Sequence, residues 1–206
     1  MRQKRGKFIV LEGVDGCGKS SQALLLANFL LGMSDYNHVL LTREPYKKRK
    51  IREILRKDEN PYSQAQNLAK LFVEDRREHI SEIIEPSLAK GIHVVCDRYK
   101  YSTIAYQSAQ GIPITELIKM HQNMLVPDAT FILDVPIEIA KKRIAKGKGG
   151  IEQKFESNGE FLERVRQNYL EMPRLLPQEN IIILDGTKSI GGVNQRIKKE
   201  LEFLLS

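Results

Sequence analysis

GVDGCGKSSQ, residues 13–22, follows the apolar run Phe8-Ile9-Val10-Leu11 and precedes Ala23-Leu24-Leu25-Leu26-Ala27. A glycine-rich turn between a strand and an amphipathic helix, closing on Gly-Lys-Ser, has the spacing of the Walker A phosphate-binding loop. Glycines let the backbone close on phosphate oxygens. Their amides form a concave anion site, and the helix N-terminus adds partial positive charge. The candidate ATP site is therefore Gly13, Val14, Asp15, Gly16, Cys17, Gly18, Lys19, Ser20 and Ser21. Lys19 is expected to reach the β- and γ-phosphates, and the Ser20 hydroxyl to bind Mg2+. Cys17 sits where a helix N-terminus can lower a thiol pKa, but a small residue that fits the loop is explanation enough.

Outward from this loop, short apolar and β-branched runs recur at 8–12, 38–42, 93–96, 130–134 and 181–184. They are apolar almost throughout, as strands buried on both faces are. Helical patterns separate them, over 20–31 and in a long stretch, 62–90, that Pro86 is expected to kink or restart. Ser63 with Gln66, and Ser157 with Glu160, have capping-box spacing. Gly91 stands where the long helix should stop. This alternation predicts a single three-layer α/β domain over residues 1–206 with a parallel sheet. Lys146-Gly147-Lys148-Gly149-Gly150 reads as a mobile basic loop between two helices.

The 206 residues carry a net charge of +7, with 29% charged and 41% hydrophobic residues, a globular composition. No apolar run approaches the roughly 18 residues of a membrane span. Cys17 and Cys96 are the only cysteines, which argues against a disulfide framework and for a reducing, cytoplasmic setting. The basic start MRQKRGKF leads straight into a strand, unlike a signal peptide. A positive balance suits nucleic acid or small polyphosphates alike. The run Lys47-Lys48-Arg49-Lys50 has no aromatic interleaving, so a solvated loop is favoured over a nucleic-acid patch.

The residues also separate the phosphate-loop classes. No Asn-Lys-x-Asp guanine-reading motif is present, and the third strand ends in Cys96-Asp97-Arg98-Tyr99 rather than Asp-Glu. Asp97 is placed to orient Mg2+ or its waters. Arg98 would then face phosphate rather than activate water, a reading favoured over an ion pair with a neighbouring carboxylate. An acid followed by a base suits transfer to a second phosphate better than hydrolysis.

At this point the chain resembles the thymidylate kinase family. The segment from Asp97 to Gln107, DRYKYSTIAYQ, is similar to its Asp-Arg-Tyr signature with a following Ser and Ala-Tyr-Gln. Thr42-Arg43-Glu44-Pro45 resembles its Thr-Arg-Glu-Pro, and Phe72 with Arg76 its Phe-x-x-x-Arg helix. Pro127-Asp128, Leu133-Asp134-Val135 and the stretch from Phe161 to Tyr169 match in order as well. The resemblance implies a P-loop NTPase fold with strand order 2-3-1-4-5, a mobile lid over about residues 143–156, and transfer of the ATP γ-phosphoryl group to dTMP in a homodimeric enzyme. It implies that Phe72 stacks on thymine and that Arg76 bonds a thymine carbonyl. Asp15 would contact the sugar 3′-hydroxyl, and Tyr106 would crowd the 2′ position. Glu44, Pro45, Tyr99, Ser102 and Gln107 join the acceptor side. Arg43 and Arg98 are the candidate grips on the acceptor phosphate, because a guanidinium fork matches phosphate bidentately. No nucleic acid or membrane partner is expected.

Two departures stand out. Tyr46-Lys47-Lys48 replaces the family's Gly-Gly-Thr after Pro45. Gly16 occupies the loop position where some members carry arginine, so the catalytic cation is expected from the lid: Lys146 or Lys148, with Arg143 as competitor and Lys154 also available. The alternatives are a kinase with a broader pyrimidine acceptor range and a nucleotide-binding regulatory protein without turnover.

Overall fold

The computed structural model describes residues 5–58, 60–146 and 158–205. At its centre lies β1 (Phe8–Glu12), in which every residue is buried. β3 (His93–Asp97) and β4 (Ala129–Asp134) pair with its two edges, β2 (Val39–Arg43) pairs with β3, and β5 (Ile181–Asp185) with β4. Among the described residues the sheet is therefore five-stranded and wholly parallel, in the order β2-β3-β1-β4-β5. Burial follows the pattern that the apolar runs require: the three inner strands are nearly all buried, while β2 and β5 at the edges are not. Phe8, Ile9, Val10 and Leu11 are wholly inaccessible, each worth about 1.5–3 kcal/mol of burial.

Helix α1 (Lys19–Gly32) packs with α9 (Ile190–Leu205), while α5 (Lys100–Ala109) packs with α3 (Ala65–His79) and α8 (Gly159–Leu175). These groups form the outer layers. Shorter helices α2 (Arg49–Lys57), α4 (Glu85–Ala89), α6 (Ile114–Met120) and α7 (Ile137–Lys146) complete the described chain. None of the described helices is long and apolar enough to cross a membrane.

The long helical stretch is divided. A wide π turn (Ile80–Ile84) separates α3 from α4, and Pro86 falls in the first turn of α4. The helical backbone continues from the π turn into α4, so proline, lacking an N–H, forfeits a bond to a carbonyl one turn back, where helices kink or restart. Gly91 ends α4 at φ +74°, with its N–H on the Leu88 carbonyl and that of Ile92 on Ser87. The capping boxes need correction. Gln64, in a left-handed conformation, precedes α3 without a side-chain cap, because Ser63 turns its hydroxyl to Asp58 and to the Asn60 carbonyl. At α8 the cap is Asn158, whose side chain accepts from the Phe161 N–H at 2.9 Å; Ser157 lies outside the described residues.

Registers place Arg43 beside Asp97, and Asp97 beside Leu11. The C-terminal ends of β1, β2 and β3 thus open side by side, at the point where the chain crosses to opposite sides of β1. That crevice is where open parallel sheets hold ligands.

Candidate active site

The loop after β1 turns through glycines at positive φ. At Gly16, φ is +80° and a Cβ would stand 2.4 Å from the Ala140 carbonyl oxygen of α7. Any side chain here, arginine included, would collide with that backbone as α7 is packed. Lys19 is 5% exposed and donates from Nζ to the carbonyls of Gly13 (3.0 Å) and Val14 (2.9 Å). Ser20 Oγ donates to Asp97 Oδ2 at 2.5 Å, and Arg43 Nη2 lies 3.7 Å from the same oxygen. A hydroxyl and a carboxylate so close at the base of the loop are hard oxygen donors of the kind Mg2+ takes. That ion keeps several waters and needs few protein ligands. Cys17 is buried, and burial raises its thiol pKa, so the loop does not activate it.

Arg98 leaves β3 at φ +75°, its N–H held by the Leu11 carbonyl at 2.9 Å. This aims the guanidinium back under the loop. Nη2 pairs with Asp15 Oδ1 at 2.5 Å, and Nη1 donates to Ser102 Oγ at 2.9 Å. The ion-pair reading of Arg98 is thus realised at the mouth of the loop. Partial burial works to raise the Asp15 pKa, but Arg98 and then Lys19 outweigh it and take it to about 2. Tyr106 donates its hydroxyl to the other Asp15 oxygen at 3.4 Å. Behind Arg98, Glu12 accepts from Tyr99 N–H, Ser102 N–H, Ser102 Oγ and Tyr169 OH at 2.7–3.1 Å. Burial still raises its pKa.

At the opposite end, α3 supplies adjacent residues with separate tasks. Asp75, 1% exposed, accepts the N–H groups of Tyr46 (2.5 Å), Lys47 (2.9 Å) and Lys48 (2.7 Å). One carboxylate thereby fixes the stretch that replaces Gly-Gly-Thr. The same stretch is braced outside by Lys47 on Glu78 and Glu82 and by Lys48 on Glu74 and Glu78. These lysines are matched by carboxylates of α3 and of the π turn after it and do not form a free basic patch. Arg76, also 1% exposed, bonds Glu44, His121, the Tyr99 carbonyl and Thr103. Glu44 in turn faces His79 at 3.2 Å and is followed by a cis peptide to Pro45.

A cavity of about 1050 Å³ joins both ends: the phosphate loop, Arg43, Glu44 and Pro45, Phe72 and Arg76, and the α5 face bearing Ser102, Tyr106 and Gln107 line it. Gln107 Oε1 is buried there without a partner among the described residues. Tyr99 also borders it, but its ring is wholly buried and its hydroxyl donates to the Leu125 carbonyl at 2.9 Å.

Among the lid cations, Arg143 donates to the carbonyls of Gly186 (3.0 Å) and Cys17 (3.4 Å), bridging the loop after β5 to the phosphate loop. Lys146 ends α7, exposed; Lys148 and Lys154 lie outside the described residues.

The sequence reading passed over Thr103 and His121, which bond Arg76, Asp75, which holds the stretch after Pro45, and Glu12, which lies behind Arg98, as well as Arg52, Arg56 and Ile190, which border the cavity. Arg52 and Arg56 stand four apart on a helix, a legible signal. A lone histidine such as His121 gives none.

The family model for thymidylate kinase matches residues 11–197. A probable thymidylate kinase of Staphylothermus marinus is 38% identical over 201 residues, covering 97% of this chain and 96% of the relative. The thymidylate kinase of Desulfotalea psychrophila is 35% identical, covering 100% and 98%. The crystal structure of thymidylate kinase from Ehrlichia chaffeensis superposes with a TM-score of 0.76 at 31% identity, over 96% of this chain and 99% of that one.

Proposed function

We infer the working of this cleft from one premise: the chain belongs to the thymidylate kinase family, and it transfers the γ-phosphoryl group of ATP to dTMP, giving dTDP and ADP. The acceptor phosphate oxygen is already an anion, so no strong general base is required. The difficulty lies in holding two polyanions together and meeting charge in transit, which makes positioning and electrostatics the main contributions.

In our reading, the loop amides and Lys19 take the donor phosphates. Ser20 and Asp97 would hold Mg2+, which when bound would neutralise charge on the donor phosphates. Arg43 and Arg98 grip the acceptor phosphate. Asp15 holds Arg98 in place and meets the 3′-hydroxyl, while Tyr106 closes the 2′ side against ribose. Phe72 stacks on the base and Arg76 donates to its carbonyl. Gln107 Oε1 supplies a buried acceptor for the ring N–H of thymine. Glu44 acts through Arg76, Pro45 walls the base side, and Tyr99 serves through its backbone. We assign Arg143 to the adenine end, since it spans Cys17 and Gly186, and leave Lys146 or Lys148 as the lid cation over the transferring group. Lid closure would exclude water from the transfer. A homodimer and a cytoplasmic setting belong to the same reading; the outward face of α3 carries Lys70, Glu74 and Arg77, so contact through it would be polar.

The observation that carries this assignment is one continuous cavity with a phosphate loop at one end and the Phe72–Arg76–Gln107 group at the other. A coupled ADP-release assay across dTMP, dUMP, dCMP, dGMP and dAMP tests it. We expect the highest kcat/KM with dTMP; comparable rates with dUMP would mean a broader pyrimidine kinase, and no turnover with any acceptor would overturn the reading.

A further inference from the structure

An arginine has five N–H donors in a fixed plane. In Arg76, Nε donates to Glu44 Oε2 at 2.7 Å; Nη2 meets the same oxygen at 2.7 Å and reaches the Tyr99 carbonyl and Thr103 Oγ1, both at 3.1 Å. Nη1 lies 2.8 Å from His121 Nε2. That leaves one N–H, on Nη1, without a partner among the described residues, in a side chain that borders the cavity.

His121 follows α6 and is 2% exposed. Its Nδ1 lies 2.6 Å from the Leu117 carbonyl, which can only accept. The ring proton therefore sits on Nδ1, and Nε2 is left as an acceptor. The surroundings favour the neutral ring as well, because burial and then Arg76 push its pKa down to about 3. A neutral acceptor is what a buried guanidinium can tolerate at this distance.

We propose that His121 is a positioning residue for base recognition: its Nε2 takes one Nη1–H of Arg76 and thereby sets the direction of the other, the one that meets the acceptor base. His121 itself does not border the cavity and acts through Arg76. The proposal rests on the assignment of Arg76 to the thymine carbonyl. It also accounts for selectivity. A donor held so rigidly demands an acceptor on the base, so a carbonyl is admitted and the amino group of cytosine is refused. A site built around a fixed hydrogen-bonding group discriminates strongly against a ligand that cannot match it.

Two isosteres separate this role from packing. In His121→Gln the carboxamide oxygen reaches the place of Nε2, whereas in His121→Asn it reaches only that of Nδ1. Steady-state kinetics with dTMP and dCMP, at saturating ATP, should show His121→Gln within twofold of the parent in KM and in dTMP-over-dCMP selectivity. His121→Asn should raise KM for dTMP about tenfold, the loss expected for one misplaced hydrogen bond, with kcat within twofold and selectivity reduced. Equal behaviour of the two variants, or a drop in kcat with selectivity unchanged, would overturn the proposal. If the His121→Asn chain does not fold, the His121→Gln chain decides alone: parental selectivity supports the proposal and lost selectivity overturns it. Arg76→Gln serves as the control on the premise. If it leaves KM for dTMP unchanged, the assignment of Arg76 fails; if it raises KM while His121→Asn does not, only the role of His121 fails.

Discussion

At the donor end of the cleft, Lys19 bonds the carbonyl of Gly13, six residues away. At the acceptor end, the partners of Arg76 lie 23 to 45 residues away, on a strand end, a helix start and the close of another helix. The first arrangement is nearly finished once β1 and α1 are joined by their loop, and it presents backbone amides that any substitution short of proline retains. The second exists only after α3, α5, α6 and β2 have packed. It presents side chains whose directions depend on one another. The donor end should therefore fail by losing charge and keep its shape. The acceptor end should fail by losing shape, through residues that touch no substrate.

The largest effect falls on the donor side. Replacing Lys19 by Met removes the one ammonium inside the loop but leaves its backbone in place. We expect kcat to fall about 10²- to 10³-fold, the usual loss for one electrostatic group in a phosphoryl or acyl transfer site. Thermal stability and KM for dTMP should stay near parental values. A large drop in melting temperature would show that Lys19 holds the loop together, and the contrast between the two ends would break there.

Asp75→Ala probes the opposite case. Three buried or half-buried backbone N–H groups lose one shared acceptor. Each unsatisfied group costs about 1–3 kcal/mol, partly regained where water reaches it, so a net loss of about 3 kcal/mol is expected. For a chain of this size that is roughly 6–12 °C in melting temperature. KM for dTMP should rise because Arg43 and Pro45 lose their anchor, while KM for ATP should not move. A calorimetric scan with two-substrate kinetics checks both expectations, and parental stability would mean that the salt bridges of Lys47 and Lys48 suffice to hold the stretch.

The same contrast explains what could be read in the sequence. The phosphate loop, the five strands and their α/β order are local signals: continuous apolar runs mark strands buried on two faces, and Gly18-Lys19-Ser20 marks the helix start after them. The strand order followed from family resemblance, and the structure has it. Edges were less legible, since β2 runs to Arg43 rather than Thr42. The start of α3 was not legible, because Ser63 spends its hydroxyl on Asp58 and Asn60 instead of capping. The π turn before Pro86 arises from packing, and no residue type announces it. Arg76 was legible only as one face of a Phe-x-x-x-Arg pair. Its four partners were not, since nothing in the spelling of Thr103 or His121 says which arginine they will meet. Gly16 is legible as a loop position without arginine, but its tight approach to the Ala140 carbonyl needs the third dimension.

The smallest effects decide the most, because they locate the two ends independently. Arg143 bridges Cys17 and Gly186, whereas Arg76 is walled in by Glu44 and His121. Two-substrate steady-state kinetics on Arg143→Ala and Arg76→Gln measures this directly. The account predicts crossed effects: Arg143→Ala raises KM for ATP about five- to tenfold with KM for dTMP within twofold, and Arg76→Gln does the reverse, each the scale of one lost hydrogen-bonding group. If Arg143→Ala raised KM for dTMP, or either variant raised both constants together, the division of the cleft into a donor end and an acceptor end would be contradicted.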